Sequence, residues 1–273
     1  MKKVISILMI IVLILGLAGC AQGPASSGEQ QISTLTKVQE NKKIIIGTAP
    51  GYMPFEMKDV NGNFVGYDID VGNAIGEALG VEVEWRQYEF AGLLPALQTG
   101  DIDLVLAGMA IRGNRALSVS FSNPYFETAQ IMMVSSNDTT TQSWEDLDVS
   151  GKIIATSQGT TGGLLAKQLF KNAEVVDYDS FPTAAMAIAQ GRAHGIVYEE
   201  PAVRFYEMMN DGVRGVYEPL TFVNTGMAIR HNDFAMINWV NSFLYGYIGS
   251  AKDLESVEKW FHSTDWMEDI QQN

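Results

Sequence analysis

Residues 88–125 of this 273-residue chain read YEFAGLLPALQTGDIDLVLAGMAIRGNRALSVSFSNPY, and the order of their apolar runs decides the fold. Leu93, Leu94 and Leu97, with Pro95 between them, predict a short amphipathic helix that Gly100 ends. Residues 102–107 are almost wholly apolar, the pattern of a strand buried on both faces of a parallel sheet. Gly108 closes that strand, and Arg115 follows at the head of a short helical turn. In open α/β sheets, ligands sit at the carboxyl ends of strands, where loop amides and helix N-termini point outward. An arginine placed there offers a bidentate fork to a carboxylate, although an ordinary solvated arginine would look the same in sequence.

The same alternation extends on both sides. Upstream, residues 43–48 and 81–85 read as strands and 69–79 as a helix ended by Gly80, with Asn61-Gly62-Asn63 as a hairpin turn. Downstream the pattern restarts. Residues 152–156, 174–178 and 195–198 read as strands, 162–170 as a helix, 182–190 as a helix capped by Ser180, and Pro201 opens another helix. Residues 225–229 read as a further strand, and 234–248 and 253–261 as helical. Strands alternating with helices predict α/β architecture with mainly parallel sheets. The two units have no room for a third domain, so the last helices pack back on the first unit. The chain then crosses between lobes twice, near 125–129 and 220–224, and two crossings make a hinge.

The N-terminus sets the compartment. Lys2 and Lys3 precede an apolar run that closes on Leu17-Ala18-Gly19-Cys20, the shape of a secretory signal. Residues 21–40 have the Gly/Ser/Gln/Pro bias of a flexible tether. Cys20 is the single cysteine, so no internal disulfide can form. Hydrophobic content of 47% and aromatic content of 10% describe a globular protein, and the formal net charge of -14 argues against nucleic acid or anionic lipid as partner. His194, His231 and His262 have no Cys or Asp at ligand spacing, so neither a metal site nor a cofactor is expected.

Taken together, GTAPGYMPFE (47–56), FVGYDIDVGNAIGEALG (64–80), the 88–125 block, GKIIATSQGTTG (151–162) and EKWF (258–261) make the chain resemble a known family. It resembles the polar amino-acid-binding proteins of ABC importers, the bacterial extracellular solute-binding family 3, and its LAGC motif resembles a lipobox. The resemblance implies a Venus-flytrap fold of two lobes, each a mainly parallel sheet flanked by helices, with a two-stranded hinge. It divides the chain into a signal peptide (1–19), a lipidated Cys20 with its tether (20–41), one lobe from 42–126 plus 224–273, and a second from 127–223. It implies an extracytoplasmic monomer, held to the bacterial membrane only by the lipid on Cys20, that captures an amino acid and delivers it to a permease.

Carried across by position, the resemblance gives Arg115 to the ligand α-carboxylate, with Thr160 and Thr161 adding donors from the second lobe. Glu199 would face the α-ammonium, and Gly108 would offer it a carbonyl. Tyr52 and Phe90 would form aromatic walls, though alone they also read as core aromatics. Ala110 stands where the family carries Ser or Thr, Ser157 where it tunes side-chain specificity, and Ala49 where binders of glutamine or basic amino acids carry aspartate. These departures imply a neutral amino acid in preference to a basic one. Two other functions stay open: a receptor module that presents the ligand to a sensor, and a dehydratase-like enzyme with Glu199 as its acid.

Overall fold

The computed structural model describes residues 33–270. The signal and Cys20 assignments lie outside the described residues. Helix α1 (Thr34–Asn41) leads into β1 (Lys43–Thr48), and a small hairpin, β2 (Met57–Lys58) and β3 (Phe64–Val65), turns through Asn61-Gly62-Asn63 as expected. Helix α2 (Tyr67–Leu79), β4 (Glu82–Gln87), α3 (Leu93–Thr99), β5 (Leu104–Val105), α4 (Gly113–Ala116) and β6 (Val119–Phe121) follow. Asp68 and Asp70 in the first turn of α2 favour its dipole. Gly72 lets that helix lie on β4, since a Cβ there would collide with the Trp85 ring.

The second half carries β7 (Phe126–Ser135), β8 (Ile153–Ser157), α5 (Thr161–Leu169), β9 (Glu174–Tyr178), α6 (Phe181–Ala189), β10 (Gly195–Glu199) and α7 (Glu200–Met209). The chain then returns through β11 (Val213–Thr225) and β12 (Ala228–Arg230) to α8 (Phe234–Tyr247) and α9 (Ala251–Val257). One sheet runs β4-β1-β5-β12-β6 and the other β11-β7-β10-β8-β9. Both are mixed. The βαβ strands pair in parallel, and the strands that carry the chain across pair antiparallel. Strands β7 and β11 are paired to each other along the crossing, from Thr221↔Gln130 to Thr225↔Phe126.

Three elements differ from the sequence reading. The 102–107 run is buried throughout, but only Leu104 and Val105 form strand, because Asp103 turns inward. Its carboxylate accepts from Ile45 N–H and pairs with Lys37 and Arg230, tying α1, β1 and β12 together. The strand from Val213 is far longer than expected, and its ladder pauses between Val216 and Thr221, where Pro219 has no N–H to give.

The third difference corrects the tether. Residues 34–41 are a helix capped by Ser33, and Thr34 and Val38 are buried in it. The Thr34 N–H donates to Asp233 at 2.7 Å. A chain starting at Lys42 is therefore expected to be less stable than one starting at Ser33 by about 1.5–3 kcal/mol, the worth of burying one aliphatic side chain. Urea unfolding of the two would check it; equal midpoints would return residues 34–41 to the tether.

The C-terminal segment spans both halves of the fold. Trp260 donates its indole N–H to Asp70 on α2, while Trp266 packs against Phe205 of α7 at 5.1 Å between ring centroids. Among the described residues, no helix is long and apolar enough to cross a membrane.

Candidate ligand-binding site

The expected site residues stand where strands of both sheets release the chain. Tyr52 follows β1 and Phe90 follows β4, while Gly108 and Ala110 follow β5. Ser157 ends β8, Thr160 caps α5, and Glu199 ends β10. Arg115 lies on α4 and reaches across the junction between the sheets. Its Nη1 donates to the Ala110 carbonyl at 2.7 Å, and its Nη2 to the Gly159 carbonyl at 2.8 Å. The guanidinium lies over the Phe90 ring, 5.3 Å from its centre. Of its five N–H donors, two are engaged and three remain for a fork. Burial, with Arg112 nearby, pushes its pKa down to about 10, and Glu199 opposes that shift.

Glu199 is equally buried, and burial raises its carboxyl above the ordinary range. Its oxygen accepts from the Gln130 side-chain amide at 2.6 Å, which pulls the pKa back. No ion pair joins Arg115 to Glu199 among the described residues. A buried cation and a buried acid thus share one cleft while each is held by neutral groups.

Gly108 has a left-handed backbone, φ +51°, and the Tyr52 ring lies where a Cβ would go. Tyr52 stacks on Phe55 at 4.6 Å and meets Tyr198 edge-on at 5.7 Å, so aromatic rings close the junction from both sides. Thr160 Oγ1 accepts from Gly163 N–H and donates to the Ser157 carbonyl, holding the start of α5. Ala110 has no side chain to offer, but its backbone bridges to Thr225 at the crossing.

A cavity of about 230 Å³ opens beside these residues, lined by Ala49, Tyr52, Phe90 and Ser157 among others. Among the described residues, three acids, Glu56, Glu89 and Asp179, also line it, and no Lys, Arg or His does. Thr161 stands apart. It lines a separate cavity with Ile111, Arg112 and Phe222, and its hydroxyl has no partner. Arg115, over the Phe90 ring, and Glu199, next to Tyr198, are buried at the edge of the first cavity and are not among the residues that line it.

Sequence reasoning missed Gln130 and Asp68, which hold Glu199 and Gly108 respectively. Gln130 had a signal, a lone amide inside the apolar run AQIMMV. Asp68 had none, because an acid in a first helical turn is ordinary.

A family model described as bacterial extracellular solute-binding proteins, family 3, matches residues 44–263. The chain belongs to this family. Among its relatives, this family 3 protein is 30% identical over 244 residues to the L-arginine-binding protein of Pseudomonas aeruginosa, covering 84% of this chain and 92% of that one. It is 26% identical over 269 residues to the ABC transporter glutamine-binding protein of Bacillus subtilis, covering 95% and 97%. A similar solved structure, at 33% identity and a TM-score of 0.78, is an ancestral amino-acid-binding protein described as a precursor of cyclohexadienyl dehydratase. It covers 84% of this chain and 99% of its own. The family 3 protein thus has the two-lobe fold of extracellular solute binders. The expectation of a neutral side chain finds no support among relatives that include arginine and histidine binders.

Proposed function

We propose that this protein captures an α-amino acid between its lobes and delivers it to the permease of an ABC importer. One observation carries the reading: Arg115 and Glu199 are both buried in the cleft and are not paired with each other. Unpaired buried charges are costly, and a zwitterion laid between them would give each a partner. The relatives' roles in amino-acid binding and ABC transport support it. Binding without catalysis is favoured over a dehydratase role, because Glu199's hydrogen-bond partner is an amide, not a base.

The side-chain class was expected to be neutral, on the strength of Ala49. The cavity and the relatives support the opposite preference. Glu89 from one half and Asp179 from the other stand exposed at its rim, without a basic residue to offset them. A cationic side chain suits that rim. Calorimetry with free L-amino acids is expected to show L-arginine or L-lysine bound more tightly than L-glutamate or L-leucine, with the gap narrowing in high salt. Ala49→Asp should widen it. Tight leucine binding with no arginine heat would restore the neutral reading; no heat from any amino acid would sink the function.

Acylation of Cys20 and attachment to the outer face of the cytoplasmic membrane rest on the LAGC motif. Cys20→Ser is expected to move the protein from the detergent phase to the aqueous phase on extraction. Unchanged partitioning would leave the lipid anchor without support.

A further inference from the structure

At the inner wall of the cavity lie two carboxyl groups that form no ion pair among the described residues. Glu56 and Asp68 are both fully buried, and the Asp68 N–H donates to the carbonyl of Phe55, the residue before Glu56, at 2.9 Å, which brings the two carboxyl groups into the same pocket of the interior. Among the described residues, neither oxygen of Glu56 has a hydrogen-bond partner, and Asp68 Oδ1 has none. Asp68 Oδ2, by contrast, accepts from Gly108 N–H at 2.7 Å and from the Tyr125 hydroxyl at 2.9 Å. Two adjacent buried carboxylates cannot both ionise. A single proton on Glu56, donated to Asp68 Oδ1, would give both groups a partner.

The elements this pair touches make it more than a structural contact. Gly108 bears the carbonyl read as the ammonium acceptor, and its own N–H, in a left-handed turn, is held by the buried Asp68. Glu56 is in the turn that carries the Tyr52 wall: its carbonyl accepts from Gly51 and Tyr52 N–H, and its N–H donates to the Tyr52 carbonyl. Tyr125 immediately precedes β7, and its N–H donates to Thr225 on the returning strand at 3.1 Å.

We propose that Asp68, sharing one proton with Glu56, is the positioning residue of the amino-acid site, holding the Gly108 loop and the crossing strands in the arrangement that binds ligand. The proposal rests on the amino-acid reading of the cleft. Burial raises Asp68 to about 6 and raises Glu56 well above its ordinary range, with the neighbouring Asp68 adding to the Glu56 shift. The other titratable groups around the pair are Glu199, Tyr52, Tyr125, Tyr198 and, through α2, Tyr67 with Asp253.

The pH signs follow. The folded pair holds protons that the unfolded chain releases at about pH 4, so free-protein stability falls as pH rises from there and goes on falling, less steeply, above about 6, where Asp68 is ionised and Glu56 keeps its proton. Affinity moves the other way. Below about 6 Asp68 gains its own proton, loses the charge that holds Gly108, and binding weakens. The ammonium and carboxylate of an amino acid do not titrate in that window.

The test is calorimetry on the wild-type protein and on E56A, E56Q and D68N from pH 5 to 8, with L-arginine as probe and L-glutamine where arginine gives no heat. D68N and E56A are expected to lose about tenfold to a hundredfold in affinity at pH 7. E56Q should restore most of it, because an amide donates to Asp68 as a protonated acid does. The wild-type infrared spectrum at pH 7 should contain a buried carboxylic-acid C=O band that E56Q lacks. If D68N does not fold, that band and the contrast between E56A and E56Q decide the question. E56Q as weak as E56A, or no acid band in the wild type, overturns the proposal. Wild-type protein that gives no heat with any L-amino acid fails the amino-acid reading instead, and the infrared band still reports on the shared proton.

Discussion

Arg115→Ala is expected to lower amino-acid affinity at least a hundredfold. The ligand carboxylate would lie buried in the closed cleft, and removing one partner of such a pair costs roughly 3–5 kcal/mol. At ~1.4 kcal/mol per decade, that is two to three decades in Kd. The structure adds a second loss. Arg115 also joins the Ala110 and Gly159 carbonyls, one from each half of the fold, so the variant loses a clasp that favours closure. Arg115→Lys keeps the charge but not the fork, and should fall between alanine and wild type. The free variant should also unfold at a lower midpoint, because the Ala110 and Gly159 carbonyls lose the donor that holds them. Calorimetry with L-arginine and a thermal melt check both halves. A folded Arg115→Ala protein with wild-type affinity would mean that the cleft does not hold a carboxylate on this residue.

What could be read in sequence was whatever is encoded locally. Ser180 capping α6, the turn at Asn61–Asn63 and the strand at Glu174–Tyr178 each rest on a few adjacent residues, and each stands as expected. Helix α1 has a local cap in Ser33, but it is held in place from far along the chain. Its anchors are Asp233 and Asp103, 199 and 66 positions away, and the Ser/Gln-rich residues before it look like tether. Asp103 shows the same limit from the other side. An apolar run predicts a buried strand, and a single inward carboxylate shortens the ladder while keeping the burial. At the site, the motif residues could be placed because each follows a strand end. Their partners could not, since Gln130, Asp68 and Glu56 acquire roles only when distant loops meet. The expectation of a neutral side chain, which the relatives do not support, has a related weakness. It rests on single positions, chiefly Ala49 with Ala110 and Ser157, whereas Glu89 and Asp179 reach the same cavity from opposite halves of the chain.

Phe55→Ala is expected to be among the most destabilising single changes in the protein. Phe55 has no exposed surface and sits among four rings: Tyr52 at 4.6 Å, Phe126 at 4.9 Å, Phe261 at 5.3 Å and Tyr67 at 6.1 Å. Truncating a buried phenylalanine typically costs about 3–5 kcal/mol, because neighbouring rings close only part of the hole. Against a total stability of about 5–15 kcal/mol, that is a large fraction. The thermal midpoint should fall by on the order of 10 °C for a domain of this size. The effect should also reach binding. Tyr52 rests directly on Phe55, and Phe126 is the first residue of the crossing strand β7, so the aromatic wall and the hinge lose the same support. Affinity should drop about tenfold, and saturating L-arginine should recover part of the lost midpoint, since ligand at a hundred times Kd contributes about 2.7 kcal/mol. Phe55→Leu, which fills more of the hole, should lie between. A midpoint within about 3 °C of wild type would mean that Phe126 and Phe261 collapse into the space; in that case the Tyr52 wall would be held by its backbone bonds to Glu56 and not by the ring beneath it.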